Sequence, residues 1–208
     1  MIAVIDYGMG NSGSILSILR RVGAEGTLTS DPDVVRTAAK IVLPGVGAFD
    51  EGMGRLHRLG LVPLLNERVL EAGVPILGIC LGMQLFAEGS AEGTTPGLAW
   101  IRGRNERFDL RPEMRVPHMG WNTLSPARPH PILEEMEGNA RFYFVHSYHL
   151  VCADPEAILA TTTYGIEFVS AVHQHNIVGL QCHPEKSLRW GMQIFRRFCG
   201  ASGAAART

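Results

Sequence analysis

The sequence predicts an α/β fold: a mostly parallel, twisted sheet flanked by helices, with a C-terminal antiparallel extension. Three observations point to it. Short apolar runs at 2–5, 40–43 and 74–77 alternate with helix-like stretches, the rhythm of parallel strands covered on both faces. Gly-rich turns, Gly8–Gly13 and Pro44–Gly47, follow two of those runs. In the second half Gly and Pro punctuate short runs between about Gly89 and Pro131, and 168–173 with 177–182 read as a hairpin around a polar link at Gln174–Asn176.

The elements follow in order. Ile2–Asp6 is the first strand, and an apolar-periodic helix covers about Ser14–Val22. Thr27–Thr29 is a second strand. Asp31-Pro32-Asp33 supplies a cap and a Pro-first start for a helix through about Ala39. Lys40–Leu43 is the third strand and ends in Pro44-Gly45-Val46-Gly47. A leucine-rich helix is expected from about Leu61 to Ala72. The apolar run from Val74 then leads to Gly78-Ile79-Cys80-Leu81-Gly82, after which Met83–Phe86 continues as a helix. Ala140–Val145 and Ala157–Thr163 read as strands, and Ser187–Cys199 as the last helix. One domain over 1–200 is expected, with the small-residue tail 201–208 disordered.

Composition narrows the function. The chain has 208 residues, 46% of them hydrophobic and 19% charged, ordinary values for a soluble globular domain with a substantial core. A net charge of −1 argues against a broad nucleic-acid footprint. No apolar run is long enough to span a bilayer, and Ile2–Ile5 reads as a strand rather than a signal core, so a cytoplasmic location is expected. The four cysteines (80, 152, 182, 199) form no C-x-x-C pair, which suits reduced thiols.

Gly78–Gly82 carries the chemistry. G-x-C-x-G where a buried strand hands over to a helix is the thiol version of a nucleophile elbow, with glycines where the turn leaves no room for a Cβ. A helix N-terminus behind Cys80 would favour the thiolate. The same cysteine could otherwise be a core residue. His183-Pro184-Glu185 follows the last strand, which would put His183 at the carboxyl edge of the sheet with Cys80. Glu185 could then accept from one ring nitrogen and leave the other for the thiol, as in a triad with sulfur as nucleophile. Pro44–Gly47 is either a tight turn or a source of unobstructed N–H donors for an oxyanion.

Other signals are weaker. Gly8-Met9-Gly10-Asn11-Ser12-Gly13 matches G-x-G-x-x-G, and Asp31 falls where a ribose-binding acid would be sought, but Asp31 is equally a helix cap. His173 and His175 would share a strand face, and His146 and His149 are close, yet no carboxylate or thiolate pattern completes a metal site. Cys182, beside His183, is expected in the core.

With these residues assembled, the chain resembles the class I (triad-type) glutamine amidotransferases, whose fold is flavodoxin-like. Most closely it is similar to the glutaminase subunits of imidazole glycerol phosphate synthases. The matching blocks are Asp6–Asn11, Leu43–Phe49, Gly78–Gln84, Thr95–Leu98, Val116–Asn122, Phe142–Tyr148 and Gly179–Ser187. Cys182 departs from the aromatic usual there, and Ala99 and Asn105 depart from Gly and an apolar residue. The resemblance implies that Cys80 attacks L-glutamine to form a thioester, that His183 shuttles protons and that Glu185 orients it. It also implies oxyanion donors among Gly45, Val46, Gly47 and Leu81, with a peptide that reorients in the active complex. Glutamine would be held by Gln84, His146, Ser147 and Tyr148. No cofactor and no metal are implied. The implied partner is a barrel-shaped cyclase subunit in a heterodimer, which takes ammonia to make imidazole glycerol phosphate and aminoimidazole carboxamide ribonucleotide in histidine biosynthesis. Tyr7, Gly8, Gly10, Asn11, Trp121 and Asn122 match the side turned to that partner. Three rivals remain at this level: a glutaminase for an anthranilate, aminodeoxychorismate or pyridoxal phosphate synthase, a non-catalytic glutamine-binding subunit, and a nucleotide-dependent oxidoreductase.

Overall fold

Nine strands hydrogen-bond side by side into the spine of the molecule, with two more joined at one side. A computed structural model describes residues 1–109, 114–136, 138 and 140–200. The first half holds β1 (Ile2–Ile5), α1 (Ser12–Arg21), β2 (Gly26–Thr29), α2 (Pro32–Thr37), β3 (Lys40–Leu43), α3 (Phe49–Arg58) and α4 (Leu61–Asn66). A π-helical turn, Glu67–Glu71, follows, then β4 (Ile76–Ile79) and α5 (Leu81–Gln84). The second half contributes β5 (Gly89–Ser90), β6 (Gly103–Arg107), β7 (His118–Thr123), β8 (Ser125–Pro126) and β9 (Arg141–His146). It closes with β10 (Tyr148–Cys152), β11 (Ile158–Tyr164), β12 (Ile166–Gln174), β13 (Ile177–Leu180) and α6 (Leu188–Gly200).

The sheet runs β2-β1-β3-β4-β13-β12-β10-β6-β5. Its first five strands are parallel, and β1, β3, β4 and β13 are buried throughout, which is why they read as continuous apolar runs. From β13 to β6 the pairing is antiparallel. β7 and β9 form a separate two-stranded ribbon, and the peptide of His183 bridges to Tyr143 on β9. One core lies on each face. Phe49, Met53, Leu56 and Phe86 fill one, and Leu19, Phe142, Phe144 and Phe195 fill the other. No helix among the described residues is long and apolar enough to cross a membrane.

Three expectations change. The helix after Cys80 is a single turn, because the carbonyls of Leu85 and Phe86 accept N–H groups of Leu98, Trp100 and Ile101 instead of continuing a helical ladder. α3 was not legible: Gly52 and Gly54 weaken it, yet Phe49, Met53 and Leu56 form a buried stripe, and acidic first-turn and basic last-turn residues match its dipole. His175 does not share a strand face with His173. It lies in the turn after β12 with φ +54. The 201–208 tail lies outside the described residues.

Candidate active site

β4 and β13 are parallel neighbours with Ile79 paired to Leu180, so the residues leaving both strands emerge at the same carboxyl edge. The Cys80 N–H donates to the Leu180 carbonyl at 2.7 Å, which ties the two exits together. Cys80 has φ +54 and ψ −109, a strained conformation for a side chain and the geometry of a sharp elbow. The turn is packed too tightly for a Cβ at Gly82, which would run into the Leu43 carbonyl. Cys80 is buried but not sealed, at 6% exposure.

His183 and Glu185 lie on the short turn after β13. Proline between them starts a 3-10 turn, Pro184–Lys186. His183 Nδ1 is 2.8 Å from Glu185 Oε1, and both side chains are almost fully buried. Since the carboxylate can only accept, Nδ1 carries the proton. The backbone is fixed as well: the His183 N–H donates to the Tyr143 carbonyl at 2.8 Å, and Ser187 Oγ donates to the His183 carbonyl at 2.6 Å. Buried His183 Nε2 has no hydrogen-bond partner among the described residues. Burial pushes the imidazole pKa down, but Cys80 and then Glu185 outweigh it and raise it to about 10. An imidazolium is thus favoured beside a sulfur and a carboxylate.

The sulfur has two further neighbours. Gln181 Nε2 donates to it at 3.6 Å, and the Val145 carbonyl is 4.0 Å away. Gln181 Oε1 accepts from Gln84 Nε2 at 3.0 Å, and the same nitrogen donates to the Tyr148 carbonyl at 2.9 Å. Gln84 and the Tyr148 carbonyl are therefore joined to the thiol through Gln181, and His146 Nδ1 lies 2.8 Å from the same carbonyl. Sequence reasoning misses Gln181, whose place in a strand-end apolar run offers no periodic signal.

The Pro44–Gly47 segment lies over the elbow. The Leu81 N–H donates to the Gly45 carbonyl at 3.3 Å, so that amide is already engaged. Tyr7 Oη donates to the Pro44 carbonyl at 2.6 Å. Burial and the nearby Cys80 push the Tyr7 hydroxyl well above its ordinary pKa. Tyr7 is 2% exposed, so it supports the loop from within, whereas Gly8, Gly10, Val46 and Gly47 are exposed. Gly10 packs on Gly45, and Gly47 on Met9, so the two Gly-rich loops form one surface. Trp121 is 45% exposed on the ribbon strand β7. Asn122 is half-buried beside it and donates to the Thr163 carbonyl at 2.9 Å.

The remaining signals resolve into structure. Asp31 Oδ1 caps α2 by accepting from the Asp33 N–H at 2.9 Å, and the Arg55 guanidinium donates to the Gly8 carbonyl at 3.0 Å. Cys182 is wholly buried, and burial raises its thiol pKa well above the ordinary value. Among the described residues no three His, Cys, Asp or Glu side chains gather as metal ligands.

A five-stranded parallel core in the order 2-1-3-4-13, carrying a thiol elbow and a His–Glu pair at its carboxyl edge, defines a triad-type amidotransferase. Residues 3–200 match the family model described as glutamine amidotransferase class-I, and the chain belongs to that family. Within it, the chain belongs with the HisH subunits of imidazole glycerol phosphate synthase. It is 48% identical to "Imidazole glycerol phosphate synthase subunit HisH 2" of Pseudomonas aeruginosa, covering 95% of this chain and 98% of that protein. It is 46% identical to the HisH 2 subunit of Methanococcus maripaludis, at the same coverage. Among solved structures, PurLQS from Thermotoga maritima superposes with a TM-score of 0.72 at 17% identity, over 97% of this chain and 98% of that one. That likeness concerns the fold.

Proposed function

We propose that this chain is the glutaminase subunit of an imidazole glycerol phosphate synthase, acting in the cytoplasm on L-glutamine in a heterodimer with a barrel-shaped cyclase. The observation that carries the reading is the convergence of Cys80, His183 and Glu185 at one sheet edge, in a chain nearly half identical to such subunits.

Chemistry follows from the geometry. The Cys80 sulfur attacks the side-chain carboxamide carbon of glutamine, forming a C–S bond and pushing electrons onto oxygen. His183 then gives its Nε2 proton to the departing nitrogen; the C–N bond breaks, ammonia leaves and a thioester remains. Water attacks the thioester while His183 takes its proton, the C–S bond breaks and glutamate leaves. Glu185 keeps His183 aligned by holding its Nδ1 proton. Gln84 and the His146–Tyr148 segment hold glutamine.

The oxyanion would be met by the Leu81 amide and by the backbone of Gly45–Gly47. Because Leu81 donates to the Gly45 carbonyl here, that peptide must turn before the amide is free. Docking of the cyclase against Gly8, Gly10, Asn11, Trp121 and Asn122 shifts the balance between the two backbone arrangements, so ammonia is made only where it can be used. The test is a coupled assay with the cyclase. Cys80→Ala should abolish glutamine-dependent turnover and leave ammonia-dependent turnover intact. Retained glutamine hydrolysis would remove Cys80 from its role.

A further inference from the structure

β7 alternates buried and exposed positions: His118 faces in at 2% exposure, while Met119 and Trp121 face out at 61% and 45%. His118 lies in an aromatic box, stacked on Tyr164 at 4.1 Å and on Phe144 at 4.9 Å between ring centroids. Its Nδ1 is 3.1 Å from His146 Nε2. His146 Nδ1 is 2.8 Å from the Tyr148 carbonyl.

These contacts permit one assignment of protons. Burial lowers the two imidazole pKa values to about 4 for His118 and about 3 for His146, so both rings are neutral at neutral pH. A carbonyl only accepts, so His146 bears its proton on Nδ1 and leaves Nε2 bare. His118 must then donate from Nδ1, which leaves its own Nε2 as the acceptor for Asn122 Nδ2 at 3.3 Å. The Tyr148 carbonyl that closes this series is the one on which Gln84 Nε2 aligns at 2.9 Å. Gln84 in turn sets Gln181 Oε1 as acceptor and Gln181 Nε2 as the donor to the Cys80 sulfur. Reversing the His118 donor would leave a buried nitrogen lone pair facing another, an unpaired arrangement that folding disfavours.

We infer that His118 is a positioning residue for glutamine cleavage: through His146 it fixes the Tyr148 carbonyl, and thereby the amides of Gln84 and Gln181 that face the thiol. The inference rests on the glutaminase reading and deepens it.

The experiment compares His118→Phe and His118→Asn in the complete two-subunit complex. Phenylalanine keeps the stacking and removes the donor; asparagine restores an N–H near the Nδ1 position. Glutamine KM should rise about tenfold or more in His118→Phe and recover substantially in His118→Asn, with ammonia-dependent turnover unchanged in both. In the folded wild-type protein, nitrogen NMR should report both rings as neutral Nδ1–H tautomers. Equal glutamine KM in wild type and His118→Phe, or an Nε2–H tautomer for either ring, overturns the inference. A wild-type complex that does not use glutamine at all would instead overturn the glutaminase reading, and the tautomer measurement separates the two.

Discussion

His183 and Glu185 form a buried pair at the sheet edge that Cys80 also leaves. Glu185 can serve His183 only as an acceptor, and in the proposed chemistry the proton it holds on Nδ1 leaves Nε2 for the sulfur. Glu185→Gln offers an amide that can present N–H to Nδ1 and select the opposite tautomer. Steady-state kinetics of the complex should therefore show kcat for glutamine falling about 10²–10⁴-fold with KM little changed; near wild-type kcat would show that the carboxylate does not orient the ring. The elbow at Cys80 and the His183–Glu185 pair were legible because glycine spacing and the H-P-E turn are local patterns. Gln181 and His118 were not, since a polar residue at a strand end looks the same whether it faces water or a thiol.

At the level of elements, two bonds tie the Pro44–Gly47 segment down: Tyr7 Oη to the Pro44 carbonyl, and Leu81 N–H to the Gly45 carbonyl. Tyr7→Phe removes the first. Assays with and without the cyclase should show faster glutamine hydrolysis by the isolated glutaminase and a smaller activation on complex formation. The buried Pro44 carbonyl loses its partner, so stability should fall by about 1–3 kcal/mol in denaturant unfolding. An unchanged activation ratio would mean that Tyr7 does not restrain the segment. Strands β1, β3 and β13 were readable as unbroken apolar runs. α3 was hidden by its glycines, and β6 by its sequence Gly-Arg-Asn-Glu-Arg, in which buried Asn105 donates to the Gln84 and Gly89 carbonyls. A strand stabilised by a buried amide has no hydrophobic alternation to detect.

Across the whole molecule, burial holds histidines neutral: His118 and His130 are lowered to about 4 and His146 to about 3. Between those values and the ordinary 6.5 the unfolded chain binds more protons, so stability rises with pH there. His183 works in the opposite sense. Its raised pKa of about 10 contributes stability that is complete below 6.5 and lost as pH climbs toward 10. Denaturant midpoints should thus decline from pH 6.5 toward 4, and His118→Asn should flatten that acid limb; an acid limb unchanged in the variant would contradict the assignment of a neutral buried ring. The antiparallel part of the sheet was visible in the hairpin read at 168–173 and 177–182. The strand order was not, because the return of β13 to the side of β4 depends on contacts far apart in the chain.

That late return has a consequence for synthesis. A ribosome delivers the elbow cysteine long before the strand that must lie beside it, and the imidazole and carboxylate come later still. A nascent or prematurely terminated chain ending before residue 177 holds the sulfur but neither the acid–base pair nor the neighbouring β13. On the chemistry proposed above, unfinished copies lack the means to cleave glutamine, so the cell is spared stray amide hydrolysis by fragments.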